Sequence, residues 1–353
     1  VTPGPGGAAA PGGSGWSSGD SWGPGGSGRP GWEERTLSED GQEDEIAARL
    51  TAAAPGTPAP TERTSRVRAF LRLVTIEHSV FALPFAYVAA LTAMAPDIEW
   101  STLGLVTVAM VAGRTLAMAA NRLIDREIDA RNPRTAGREL VTGAVSVRTA
   151  VVGALAALAV LLTAAALLNP LCLALSPAAV IPLIIYPYAK RFTNLPHAVL
   201  GLAQAIAPIG AWIAVTGSFD GSAPALSLGL AVGCWIGGFD IIYACQDAEV
   251  DRRTGVRSVP ARFGIRAALA ASTGTHVVAF GLLLWFGALA GNGWLWYLGL
   301  ALTAGVFSYE HAIVRANDLS RVNRAFFTAN GFVALTLFAF ALADLVVVHG
   351  LHP

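Results

Sequence analysis

The sequence predicts an all-α integral membrane protein with nine transmembrane helices. Three observations carry this expectation. Hydrophobic residues make up 54% of the 353-residue chain and charged residues only 14%, whereas soluble domains carry about 25% charge. Apolar stretches near the ~20 residues needed to cross a bilayer core recur along the chain. The arginines between those stretches fall in alternate connections, the asymmetry that orients membrane helices. The formal net charge is zero, so bulk charge gives no reason to expect a nucleic-acid partner, and no motif points to a protein partner.

Residues 1–65 differ in kind from the rest. "VTPGPGGAAAPGGSGWSSGDSWGPGGSGRPGW" is rich in Gly, Pro and Ser and has no periodic apolar face. Such a segment buries too little surface to offset the entropy of ordering and is expected to be disordered. It lacks the basic start and apolar core of a secretory signal. Residues 66–350 are then the membrane domain.

The nine stretches are 78–95, 103–121, 149–168, 171–189, 197–216, 226–246, 267–289, 293–309 and 326–348. Pro84, Pro177, Pro182 and Pro208 fall inside them, which membrane bundles tolerate. Arg63, Arg66, Arg68 and Arg72 precede the first stretch, and Arg or Lys residues follow the second, fourth, sixth and eighth. The opposite connections, "APDIEWS", "NP", "GSFDGSAPA" and "GNG", carry no Arg or Lys. The N-terminus and the basic connections are therefore expected in the cytoplasm. Cys172, Cys234 and Cys245 lie in apolar stretches without CxxC pairing, as small buried hydrophobes do.

Two span ends carry the chemistry. The second stretch runs into "NRLIDREIDARNPRTAGREL" and the sixth into "YACQDAEVDRRTGVRSVPARFG". Asn121, Asp125 and Asp129 are spaced by four, as are Tyr243, Asp247 and Asp251, and each member of the second set follows its counterpart by 122 residues. This offset predicts two parallel four-helix repeats plus a ninth helix. Residues four apart differ by about 40° around a helix, so each trio shares a face. Arg114 and Asp240 stand seven residues before Asn121 and Asp247 and share those faces deeper in the membrane. Ionised groups at that depth require a partner or a wet cavity. Facing i,i+4 carboxylate pairs offer the oxygen donors that suit Mg²⁺. One DxxxD alone would read as solvated interfacial charge; two matched copies, each backed by a deeper ionisable residue, do not.

"NRLIDREID" reads as NxxxDxxxD and "YACQDAEVD" as YxxxDxxxD. On nine spans these motifs resemble the UbiA superfamily of intramembrane prenyltransferases over residues 66–350. "NPRTAGREL", "YPYAKRFTNLPH" and "GVRSVPARFG" are further matches. "IEHSVFALPFAYVAALTAM" and "NRLIDREIDARNPRT" look most like the 4-hydroxybenzoate polyprenyltransferase-like branch, which includes the enzyme of the futalosine route to menaquinone.

The resemblance implies a multi-pass enzyme of the cell membrane, with its active site at the cytoplasmic side. It would move a polyprenyl group from a prenyl diphosphate to an aromatic hydroxy acid, 4-hydroxybenzoate-like or a dihydroxynaphthoate, in quinone biosynthesis. Two Mg²⁺ ions held by Asn121, Asp125, Asp129, Asp247 and Asp251 would join acids to phosphate and neutralise the leaving group. Arg134, Arg138, Lys190, Arg191 and Arg257 lie in the connections beside these acids and are candidate diphosphate clamps; Lys190 is the chain's sole lysine. Tyr186 and Tyr243 either donate to phosphate or line the cavity. Arg114 is a candidate for the acceptor carboxylate, with Asp240 near it. His78 is either a base or an interfacial structural residue. His276, His311, His349 and His352 read as interfacial or tail residues. The alternatives are prenyl transfer to a non-aromatic acceptor, or a secondary transporter. Transporter repeats are often inverted, with their charges at the midplane, whereas these repeats are parallel and their acids gather at one face.

Overall fold

The computed structural model describes Phe70, Leu73 and residues 82–352. The Gly/Pro/Ser-rich segment and His78 lie outside the described residues. Among the described residues the regular elements are helices: α1 (Leu83–Met94), α2 (Trp100–Arg131), α3 (Val147–Leu168), α4 (Pro170–Phe192), α5 (Pro196–Thr216), α6 (Ala223–Ala244), α7 (Ala248–Thr254), α8 (Val259–Phe263), α9 (Ile265–Ala290), α10 (Trp294–Ile313), α11 (Val322–Arg324) and α12 (Asn330–Val348). A 3₁₀ turn, Cys245–Asp247, joins α6 to α7. A π turn, Ala325–Ala329, joins α11 to α12.

Seven segments are long and apolar enough to cross a membrane: α2, α3, α4, α5, Ala223–Thr254, α9 and Val322–Val348. The fold is an all-α, multi-pass membrane bundle. Helices also stand at the other two expected positions. α1 covers most of stretch 78–95, whose first four residues lie outside the described residues. α10 matches stretch 293–309 but is less apolar, with Trp294, Trp296 and Tyr297 at one end and Glu310 and His311 at the other.

Length places the acids. α2 has 32 residues and extends about 48 Å, well beyond a hydrocarbon core about 30 Å thick. Its surplus is the end that carries Asp125 and Asp129. Ala223–Thr254 has the same length and carries Asp247 and Asp251 at the matching end.

α6 forms the middle of the bundle. Its buried residues run from Pro224 to Ile242 on all sides, the pattern of a helix enclosed by others. Trp235 and Phe239 pack there with Phe85, Phe286, Trp296 and Leu337. α5 meets α6 backbone to backbone. A Cβ on Gly201 would lie 2.4 Å from the Gly233 carbonyl oxygen, and one on Gly233 would lie 2.7 Å from that of Gly201. Small residues permit this approach in the absence of a hydrophobic drive between helices in lipid. It sets the start of α5 beside the half of α6 that leads to Asp247. Asn169 fixes the α3–α4 corner, accepting from the Cys172 amide at 2.9 Å and donating to the Ile213 carbonyl at 2.9 Å.

Two expectations are corrected. Tyr243, Asp247 and Asp251 do not share one unbroken helical face, because the 3₁₀ turn changes the rotation per residue between the first and the other two. His276 is not interfacial: it is 2% exposed and fits against Gly238, where a Cβ would lie 2.4 Å from its ring. Its Nε2 meets the Trp235 carbonyl at 3.2 Å and its Nδ1 meets His311 Nε2 at 2.9 Å.

Candidate active site

A cavity of about 600 Å³ lies among α2, α3, α4, α5 and α6. Leu161, Leu168, Leu183, Ile206 and Ile213 belong to its apolar lining, while Arg114, Asn121, Arg122, Arg138, Asp240 and Tyr243 form polar parts of the wall. Most pockets for amphiphilic ligands combine these features. Tyr186 also lines it.

At the mouth, the four motif aspartates adjoin the cavity through Asn121, Arg138 and Tyr243 rather than lining it, and each already has a partner. Asp125, 1% exposed, accepts from Lys190 Nζ at 2.6 Å and from Asn121 Nδ2 at 3.1 Å. Arg191 Nη2 stands 4.0 Å from its other oxygen and donates to the Ile124 carbonyl at 2.6 Å. Asp129, 4% exposed, takes both carboxylate contacts from Arg138 Nη1 at 2.6 Å. Asp247 accepts from Arg134 through Nε at 2.8 Å and through Nη2, and from Asn132 Nδ2 at 3.0 Å. Arg134 Nη1 also donates to the Tyr243 hydroxyl at 2.8 Å. Asp251 accepts from Ser258 Oγ at 2.9 Å.

Local folding brings these groups together. After α2 the chain turns back: the Thr135 hydroxyl donates to the Asp129 carbonyl at 3.0 Å and Arg126 Nε to that of Leu140 at 3.2 Å. Leu140 and Val145 pack into a small core with Leu73, Ala119 and Ala150. This fold-back aims Arg138 at the first acid set and Arg134 at the second. Burial works against the charge on Arg134, but the hydrogen bond and charge of Asp247, aided by Tyr243, outweigh it and hold its pKa above the ordinary arginine value. Arg257 lies elsewhere, donating through Nη1 to the Phe192 carbonyl at 2.6 Å while its amide donates to the Lys190 carbonyl at 2.8 Å. It thus closes the C-terminal end of α4, a favourable place for a cation.

Arg114 and Asp240 mark a deeper level. Seven residues along α2 is about 10 Å, so Arg114 lies that far below Asn121. The Arg114 Nε is buried without a hydrogen-bond partner. Asp240 Oδ2 stands 2.7 Å from His197 Nδ1, a residue at the start of α5 that spacing arguments miss. Asn132 and Ser258 are missed likewise: both stand near the motifs in sequence, but only the folded connections show which acid each one holds.

Asp125 retains one buried oxygen, Oδ1, without a hydrogen bond, and the surrounding donors are carboxylate and amide oxygens. This donor set suits a hard divalent cation. Among the described residues no group of three or more His, Cys, Asp or Glu side chains closes on an ion by itself. Mg²⁺ commonly takes one or two carboxylates and completes its shell with water and substrate phosphate, which this spread arrangement allows.

A membrane bundle whose apolar cavity is walled in part by Asn121, Arg138 and Tyr243, the groups that touch the motif aspartates or their arginine partner, defines an intramembrane enzyme for an amphiphilic, anionic substrate. The chain belongs to the UbiA prenyltransferase family, whose model matches residues 82–340, and it is a prenyltransferase. It is 31% identical to a 4-hydroxybenzoate octaprenyltransferase of Aromatoleum aromaticum, over 82% of this chain and 98% of that one. It is 34% identical to one of Methylobacillus flagellatus, over 68% and 81%. An apo UbiA homolog from Aeropyrum pernix superposes with a TM-score of 0.71 at 37% identity, covering 76% of this chain and 98% of its own. A UbiA homolog from Archaeoglobus fulgidus bound to DMAPP and Mg²⁺ shares the fold, with a TM-score of 0.61 at 21% identity, covering 79% and 100%.

Proposed function

We propose that this protein transfers a polyprenyl group from a prenyl diphosphate to an aromatic hydroxy acid, 4-hydroxybenzoate or a dihydroxynaphthoate, in quinone biosynthesis. The observation that carries this reading is the pairing of an apolar cavity with a mouth of four acids, three of them bound to cations. The cavity suits the tail. The cations suit the diphosphate but are held by acids in its absence, so donor binding requires something to take over those acids.

Mg²⁺ held by Asn121, Asp125, Asp129, Asp247 and Asp251 would supply that counter-charge and stabilise the negative charge of the leaving diphosphate. Lys190, Arg134 and Arg138 would then be free of the acids to hold phosphate oxygens, with Arg191 beside them. The bond between prenyl C1 and diphosphate oxygen breaks, both electrons leaving with the diphosphate. The acceptor ring supplies the pair for the new C–C bond and gives up its proton. Arg114, whose Nε is buried and unpaired, suits the acceptor carboxylate, and Asp240 suits its hydroxyl.

The finer architecture belongs to the same proposal: nine spans, α1 and α10 completing the set; two parallel four-helix units and a ninth helix; N-terminus and acid mouth in the cytoplasm. Basic connections at the acid end support that orientation.

The test is turnover by the full chain in lipid nanodiscs with Mg²⁺, prenyl diphosphates of several lengths, and 4-hydroxybenzoate or dihydroxynaphthoates. The expected product is a C-prenylated acceptor, lost on adding EDTA and restored by excess Mg²⁺. Absence of product from every aromatic acceptor, with donor still bound, would overturn the acceptor assignment.

A further inference from the structure

Behind the cavity wall, the helices gather a second set of buried polar groups. Asn330, at the start of α12, is its hub. Its Oδ1 accepts from Trp235 Nε1 at 2.8 Å, and its Nδ2 donates to Glu310 Oε1 at 3.1 Å. The same Nδ2 reaches the carbonyls of Ala325 at 3.2 Å and Phe326 at 3.3 Å. Asn330 and Glu310 are fully buried. A polar cluster this deep is costly unless satisfied, and this one ties α6 and α10 to a single point of the last span.

That point is the π turn, Ala325–Ala329. A π turn inserts a residue into the helical ladder, rotates the preceding turn of helix relative to the next one, and leaves carbonyls in need of donors. Asn330 supplies the donor. The residue so presented is Phe326, which lines the cavity. Its ring centroid is 4.3 Å from Tyr243 and 5.1 Å from Phe239, at 38° and 89° between planes. Phe239 and Tyr243 line the cavity too, and the Tyr243 hydroxyl touches Arg134, the partner of Asp247. The three rings form an aromatic corner immediately beside the acid mouth.

We propose that Phe326, with Phe239 and Tyr243, stabilises the allylic cation as the diphosphate leaves, and that Asn330, anchored by Glu310 and Trp235, is the positioning residue that holds Phe326 in place. Prenyl C1 is joined to the diphosphate, so charge develops within reach of the mouth, where these rings stand. A ring face in a desolvated site attracts a cation strongly, and the attraction exists only once the charge has formed, which makes it catalytic rather than binding energy. The inference rests on the ionisation step proposed above and not on the identity of the acceptor.

The experiment uses the full chain in nanodiscs with Mg²⁺, geranyl diphosphate and the aromatic acceptor it turns over. Geranyl S-thiolodiphosphate serves as the binding probe. Phe326→Leu is expected to lower kcat about tenfold or more while probe affinity stays within about twofold of wild type. Phe326→Tyr or Phe326→Trp should restore most of the rate. Asn330→Leu should reproduce the loss, and Glu310→Gln, which keeps an oxygen for the Asn330 amide, should stay near wild type. If Asn330→Leu does not accumulate, the Phe326 series decides alone. Positional isotope exchange in geranyl diphosphate reads ionisation without any acceptor, so a wrong acceptor and a wrong aromatic corner are told apart. Unchanged kcat and exchange in Phe326→Leu, a rate loss matched by an equal loss of probe affinity, or failure of both aromatic replacements would overturn the proposal.

Discussion

The two acid trios look alike in sequence and differ in structure. The first stays on one unbroken helix, α2, and its two carboxylates are nearly inaccessible. Their charged partners are Lys190 from α4 and Arg138 from the fold-back. The second crosses a 3₁₀ turn, and its acids depend on connecting segments: Arg134 and Asn132 for Asp247, Ser258 for Asp251. The difference teaches that equal spacing conserves which groups are available, while the stiffness of each set depends on what surrounds it. The first trio has a long helix, through Lys190, among its supports; the acids of the second are held from connecting segments.

That contrast sets an order of effects. Asp125→Asn should be the most damaging, lowering kcat/KM by at least about a hundredfold, because it removes a buried metal-type donor and strands Lys190 without its counter-charge. Membrane insertion, monitored by size-exclusion of a fluorescent fusion, should survive. Equal activity in Asp125→Asn and wild type would break the ranking and the metal assignment together. Arg134→Ala comes next, with a rise of about tenfold in donor KM; Arg134→Lys should recover only part of it, since an ammonium cannot reproduce the guanidinium fork on Asp247. His197→Phe should raise acceptor KM about three- to tenfold with donor KM unchanged, and His197→Gln should lie closer to wild type. A matching change in donor KM would move His197 from the acceptor level to the mouth. Ser258→Ala should be smallest, about twofold in rate; a loss as large as that of Asp125→Asn would show that the second trio is the more critical one.

The membrane class and the acid motifs are legible in the sequence because both are local. Apolar length and i,i+4 spacing are properties of neighbours along the chain, and α2 realises them directly. Partner choice is not legible. His197 and Asp240 are 43 residues apart, and Asn330 and Trp235 are 95 apart; only helix packing joins them. The turn at Cys245–Asp247 has no signal either, since "YACQDAEVD" contains neither Gly nor Pro. The burial of His276 escapes sequence reasoning because a histidine inside an apolar stretch gives no hint of the space beside Gly238.

Lys190 has a practical consequence. It is the chain's sole lysine and is in direct contact with Asp125. Among these 353 residues an amine-directed reagent therefore has one side chain to find, and it stands within the mouth. Donor or metal that draws Lys190 away from Asp125 changes the chemistry of that amine. The protein carries its own single-site reporter, and labelling rate read by mass spectrometry becomes a titration of site occupancy that needs no engineered probe.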